Sequence, residues 1–196
     1  MIDYGKINIG VLALQGDFER HLHQIALLGA KPLQVKLPRD LEQTHALIIP
    51  GGESTTMNIL IDRFDLRSPL LAFGRTCPIY GTCAGMIMLS RNIINNKSGV
   101  VPLGLIDIDV DRNGYGRQIY SFEDVLKVDL GEGMRNLKVD FIRAPKVVRV
   151  GKGVKVVAEH RGLPVMVASG RILASSFHAE LEDDITLLKY FADNFL

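Results

Sequence analysis

Ile79-Tyr80-Gly81-Thr82-Cys83-Ala84-Gly85-Met86 reads as a short apolar strand, a sharp turn and the start of a helix, with Gly-x-Cys-x-Gly across the turn. This is the layout of a nucleophile elbow with cysteine in place of serine. The turn is strained and crowded, and side chains at Gly81 and Gly85 would collide with neighbouring elements. It lifts the Cys83 sulfur to the C-terminal edge of a sheet, where open α/β folds bind ligands. It also sets the thiol at a helix N-terminus, whose partial positive charge favours the reactive thiolate. Backbone N–H groups of Cys83 and Ala84 are then expected to be free to face an oxyanion. A free cysteine is more often just a buried small residue. The elbow reverses that preference for Cys83, whereas Cys77, in a loop before Pro78, keeps it.

Outward from the elbow, strand and helix alternate. Upstream, Ile7 to Leu14 is an apolar, β-branched run that reads as a buried strand. Phe18 to Leu28 has helical spacing and Gly29 supplies a stop. Pro32 to Leu37 and Ala46 to Ile49 are further strands, the latter ending in Pro50-Gly51-Gly52, and Pro78 to Gly81 is a fourth. Ser54 to Ile61, Pro69 to Arg75 and about Ala84 to Arg91 read as helices. From Leu103 the texture changes. Leu105 to Val110 and Val125 to Leu130 alternate like half-exposed strands, and Val147-Val148, Val154 to Ala158, Pro164 to Ala168 and Ile172 to Ser176 follow. Turns at Arg161-Gly162 and Ser169-Gly170 suggest hairpins, and a helix from Ile185 to Phe195, preceded by Asp183 and Asp184, closes the chain. The pattern predicts an α/β fold with a central mixed, mostly parallel sheet flanked by helices.

The bulk numbers narrow the function. A chain of 196 residues fits a single domain, 1–196, and 47% hydrophobic with 23% charged residues is an ordinary globular profile. A net charge of +1 without basic blocks gives no reason to expect a nucleic-acid or membrane-surface partner. No apolar run is long enough to span a bilayer, and Met1 to Lys6 does not read as a signal peptide, so the expected location is cytoplasmic. Two cysteines are too few for a disulfide framework or a zinc cluster.

A thiol nucleophile needs a base. In Ser176-Phe177-His178-Ala179-Glu180, residues i and i+2 of extended chain face one side, so His178 and Glu180 can meet. The carboxylate would fix the imidazole, which would carry protons for the thiol and the leaving group. A third element, Pro50-Gly51-Gly52-Glu53-Ser54-Thr55-Thr56, brings backbone N–H groups close to a ligand; it lacks the Lys-Ser/Thr ending of a phosphate loop, and Ser54 also reads as a helix cap.

These three elements, in this order and spacing, resemble the class I (triad) glutamine amidotransferases, whose fold is flavodoxin-like. Within them the chain is most similar to the glutaminase subunits of pyridoxal 5′-phosphate synthases. Leu14-Gln15-Gly16 with Glu19-Arg20-His21, Pro50 to Met57, Gly81 to Gly85, Arg112 to Gln118 with Ser121-Phe122-Glu123, Phe141 to Pro145 and Ser175 to Glu180 carry that likeness. The resemblance implies that Cys83 attacks the carboxamide carbon of L-glutamine, that His178 moves the protons and that Glu180 orients His178. It implies an oxyanion hole from a backbone N–H near Gly51-Gly52 and from that of Ala84. It places glutamine against Gly52, Glu53, Ser54, Arg112, Ile142 and Arg143, with an arginine fork suited to the α-carboxylate. It implies no metal or organic cofactor, and ammonia passed to a (β/α)8-barrel synthase subunit in a large ring-shaped complex. Gln15 and Gly16 become interface candidates; His21 and His23, on the helix that follows, read as surface residues.

The chain departs from the family's usual pattern at Ala179, where proline would stiffen the His178–Glu180 segment, and at Gly114 and Tyr120. Two other readings compete: the glutaminase subunit of imidazole glycerol phosphate synthase, and a non-catalytic binding protein on the same scaffold. The Gly-Glu-Ser-Thr-Thr run and Arg112 to Gln118 count against the first, and an intact triad against the second. A cysteine peptidase or stress protein of related fold is disfavoured by Phe141 to Pro145.

Overall fold

The computed structural model describes residues 2–112, 121–131 and 133–196. The motif residues Asn113 to Gln118, including Gly114, and Tyr120 lie outside the described residues. The elements in chain order are β1 (Asn8–Leu12), α1 (Phe18–Leu28), β2 (Lys31–Val35), α2 (Pro38–Leu41), β3 (Ala46–Ile49), α3 (Ser54–Arg63), α4 (Arg67–Thr76), β4 (Ile79–Thr82) and α5 (Ala84–Leu89). Then come β5 (Ser90–Ile93), β6 (Ile106–Asp111), β7 (Phe122–Asp129), β8 (Met134–Phe141), β9 (Lys146–Val150), β10 (Lys155–His160), β11 (Leu163–Ser169), β12 (Ile172–Ser175) and α6 (Thr186–Phe195).

Seven strands form the central sheet in the order β10-β11-β12-β4-β3-β1-β2. The strands from β12 to β2 are parallel, and β11 and β10 add antiparallel hairpins at one edge. The expected mixed, mostly parallel sheet is therefore present. Its strands are short and apolar because both faces are covered. Alternation along β3 shows how: Leu47 and Ile49 enter one hydrophobic cluster, Ala46 and Ile48 the other. The first cluster takes Met57 and Ile61 of α3, Leu70 and Phe73 of α4, and Met86 to Leu89 around α5. The second takes Ile25 and Leu28 of α1 with Leu187, Leu188 and Phe191 of α6.

The alternating segments after residue 103 are strands, but β6 and β7 do not extend the central sheet. Among the described residues, β5, β6 and β9 form a three-stranded sheet, and β7 pairs only with β8. Their inward residues explain the placement: Ile106, Ile108 and Val110 pack into the first cluster, Leu126, Val128, Leu137 and Val139 into the second. The helix read to Arg91 stops at Leu89, where Ser90 Oγ donates to the Ile87 carbonyl at 2.8 Å and β5 begins. The Arg161-Gly162 turn joins β10 to β11 with positive φ at both residues (52° and 74°), as a two-residue hairpin requires.

Because β1, β3, β4 and β12 run parallel, the segments that leave them all emerge at the same edge. Those segments hold Gln15-Gly16, Gly51-Gly52, Cys83 and His178 respectively. No helix among the described residues is long and apolar enough to cross a membrane.

Candidate active site

The elbow forms as its sequence requires. Cys83 follows β4 directly, with φ 47° and ψ −102°, a conformation that a side chain tolerates only when its surroundings impose it. A Cβ on Gly81 would come within 2.5 Å of Leu89 Cδ1, and one on Gly85 would overlap the Ile49 carbonyl. The register pairs Ser175 of β12 with Thr82 of β4, so the two chains leave the sheet level with one another. The Cys83 N–H does not face the pocket, however. It donates to the Ser175 carbonyl at 2.8 Å, extending the ladder by one bond, which corrects the expectation that it is free for an oxyanion. Ala84 opens α5 and has no intrahelical acceptor for its N–H, so it keeps that role open. The Cys83 thiol, 5% exposed, lies 3.7 Å from the Ile142 carbonyl.

The chain beyond β12 turns so that His178 and Glu180 meet. Backbone bonds at 2.8 Å and 3.0 Å tie His178 to Asp140 at the end of β8. His178 Nδ1 is 2.6 Å from Glu180 Oε1, and both residues are buried. Burial works against a charged imidazole, but hydrogen bonds to Cys83 and Glu180, and their charge, outweigh it and lift His178 to about 10. For Glu180 burial also opposes ionisation; nearby His21 and the hydrogen bond to His178 nonetheless hold it well below the usual carboxylate range. The contact is short although Ala179 replaces proline. Gln24 of α1 supplies restraint: its side-chain amide donates to the carbonyls of Ala179, Glu182 and Asp184 at 3.2, 2.9 and 3.2 Å.

His21 is not a surface residue. It is 2% exposed, with Nε2 3.5 Å from Glu180 Oε1 and 3.3 Å from Thr82 Oγ1. His23 is exposed, as expected. The buried residues of α1, His21, Gln24, Ile25 and Leu28, follow the i, i+3, i+4, i+7 spacing of an inward helix face. That spacing was the signal available in the sequence for His21.

The loop after β3 lies against the imidazole, since a Cβ on Gly51 would overlap the His178 ring. Gly16 packs on the Gly51 carbonyl, and Gln15 Oε1 accepts from the Glu53 N–H at 3.0 Å. The Gln15-Gly16 segment thus braces the glycine loop from behind. Glu53, not Ser54, caps α3: its carboxylate accepts from the N–H groups of Thr55 and Thr56 at 3.0 and 2.6 Å. Ser54 is already the first helical residue and is buried. Although burial raises the Glu53 carboxyl, these bonds prevail and bring it down to about 2.

A cavity of about 640 Å³ opens over these groups, and Cys83, His178, Gly51, Gly52, Glu53, Ser54, Arg112, Ile142 and Arg143 are among the residues that line it. All the residues expected to hold glutamine therefore share one pocket. Arg112 Nη2 is 3.1 Å from Glu53 Oε1 and 3.2 Å from Thr55 Oγ1, and Nη1 donates to Ser98. Arg143 is exposed and has φ 47°. The arrangement offers a nucleophile, a proton carrier with its carboxylate, a candidate oxyanion N–H and polar groups of both signs for a zwitterion.

Residues 11–196 match the SNO glutamine amidotransferase family. A pyridoxal 5′-phosphate synthase subunit PdxT from Kosmotoga olearia is 46% identical over 186 residues, covering 94% of this chain and 96% of the relative. One from Thermotoga neapolitana is 42% identical over 188 residues, covering 95% and 98%. A crystal structure of a glutamine amidotransferase superposes with a TM-score of 0.88 at 41% identity, over 94% of this chain and 97% of that one.

Proposed function

This chain belongs to the SNO glutamine amidotransferase family, and from that premise we propose how its pocket does the chemistry. It is a glutaminase, hydrolysing L-glutamine to L-glutamate and ammonia as the glutaminase subunit of pyridoxal 5′-phosphate synthase. The observation that carries the catalytic reading is the 2.6 Å His178–Glu180 contact beside Cys83 in the elbow. Cys83 gives its proton to His178 and its Sγ attacks the carboxamide carbon, and the carbonyl oxygen takes the negative charge, held by the Ala84 N–H and one from Gly51-Gly52. His178 gives its proton to the departing nitrogen, ammonia leaves and a thioester remains on Cys83. A water then attacks the thioester carbon, its proton passes to His178, and the thiol is released with glutamate. Glu180 keeps the imidazole oriented and compensates its charge throughout.

In the same reading Glu53 receives the substrate's α-amino group while Arg112 or Arg143 takes its α-carboxylate; Ser54 and Ile142 complete the wall. The partner is a (β/α)8-barrel synthase subunit in a ring-shaped cytoplasmic complex, with Gln15 and Gly16 at the contact, and ammonia passes to it directly. The name shared by the relatives favours this synthase over imidazole glycerol phosphate synthase. An electrophilic glutamine analogue tests the site. Its mass should be found on the peptide bearing Cys83, with activity lost in proportion; a label on Cys77, or none with the enzyme active on glutamine, would overturn the assignment.

A further inference from the structure

Glu180 meets two imidazoles at a single oxygen: Oε1 lies 2.6 Å from His178 Nδ1 and 3.5 Å from His21 Nε2. Among the described residues its other oxygen, Oε2, is buried without a hydrogen-bond partner. The orientation of this carboxylate therefore depends on what reaches Oε1. His21 Nε2 also lies 3.3 Å from Thr82 Oγ1, and Thr82 is the last residue of β4, directly before Cys83. Burying an imidazole costs free energy unless it is partnered. Here the partners are the carboxylate behind the base and the residue that leads into the nucleophile. We propose that His21 is a positioning residue of the hydrolytic site, bridging Glu180 to Thr82 so that the carboxylate stays in register with the Cys83 elbow.

The proposal rests on the Cys83–His178–Glu180 reading and extends it to α1, whose Gln24 already restrains the segment that carries Glu180. Its consequence for pH follows from the charges around Glu180. His178 and His21 both stabilise the ionised carboxylate. Tyr80 of β4 is a further titratable neighbour; burial pushes its hydroxyl up, so it stays neutral while it bonds Ser175 Oγ at 3.0 Å. Without His21 the carboxyl titrates at higher pH, so the acid limb of kcat/KM moves upward.

The test measures glutamine hydrolysis by the full chain with its synthase subunit, for wild type, His21→Phe, His21→Gln and Cys83→Ala. His21→Phe should lower kcat about tenfold or more near neutral pH with little change in KM, because orientation is lost and binding is kept. Its deficit should deepen at acid pH, where the less stabilised carboxyl begins to take up a proton, and level off toward neutrality. His21→Gln, whose amide can donate to the same oxygen, should restore most of kcat. A His21→Phe enzyme with wild-type kcat and acid limb would overturn the proposal, as would an equal, pH-independent deficit in the Phe and Gln variants. Should His21→Phe not fold, His21→Leu carries the same comparison. Hydrolysis surviving in Cys83→Ala would instead sink the triad reading, which keeps the two failures apart.

Discussion

At the scale of single residues, the site turns on how charge is held in a buried place. His178 carries its proton to about 10 because Cys83 and Glu180 overcome the burial that opposes it. Replacing Glu180 by Gln keeps the shape and removes the charge. We expect turnover to fall by about a hundredfold or more, with His178 titrating nearer its ordinary value; a ring titration by NMR beside the kinetic assay checks both. What the sequence revealed at this scale was whatever lay close together in the chain: the Gly-x-Cys-x-Gly turn, the His-x-Glu pair and the glycine loop. What it hid depended on distant partners. Glu180 lies 159 residues from His21, and nothing in the spacing of α1 says which buried group awaits an inward histidine. The sequence points to Glu53 and Ser54 as substrate contacts and to Ser54 as the cap. The roles at the cap reversed because the Glu53 carboxylate reaches the Thr55 and Thr56 N–H groups first.

At the scale of elements, the elbow and the segment after β12 are each held by several tight contacts, of which Gly85 and Gln24 are the most readily tested. Gly85→Ala would press a methyl into the Ile49 carbonyl, backbone that cannot retreat. Strain of this kind should cost roughly 1–3 kcal/mol or more in a denaturant titration, whereas Gly153→Ala, in open space at φ 84°, should lose stability only through its backbone conformation. Gln24→Ala removes the donor to three carbonyls and should cost about 1–3 kcal/mol. It should also lower kcat more than it raises KM, since the freed segment carries Glu180. The central strands were legible as short apolar runs. β8 was not, because its outward residues Arg135, Asn136, Lys138 and Asp140 dilute the apolar alternation of Leu137, Val139 and Phe141. That β6 and β7 form separate small sheets was equally hidden, since alternation gives a strand's faces but not its neighbours.

For the molecule as a whole, the site imposes a pH dependence on stability. A histidine raised from 6.5 to about 10 stabilises the fold fully below pH 6.5 and loses that contribution as pH rises toward 10. A carboxyl lowered from 4.5 contributes fully above that pH and loses its share as pH falls below it. The pair therefore favours a stability maximum between 4.5 and 6.5. Urea titrations near pH 5.5 and pH 8.5 should show the decline in wild type and a smaller one in His178→Asn; equal slopes would contradict the charged pair. Parallel strands also gather every reactive segment at one edge, where Gln15-Gly16 braces the glycine loop. A partner that contacts Gln15 can thereby reset the oxyanion hole, so hydrolysis should be weak in the isolated chain and stronger in the complex. The most direct measurement is ammonia release from glutamine by wild type and Cys83→Ala, each alone and with a pyridoxal 5′-phosphate synthase barrel subunit. The account predicts hydrolysis by the wild type that the partner increases, and none by Cys83→Ala, which still binds the partner. Turnover by Cys83→Ala, or none by the wild type beside a competent synthase, would contradict it.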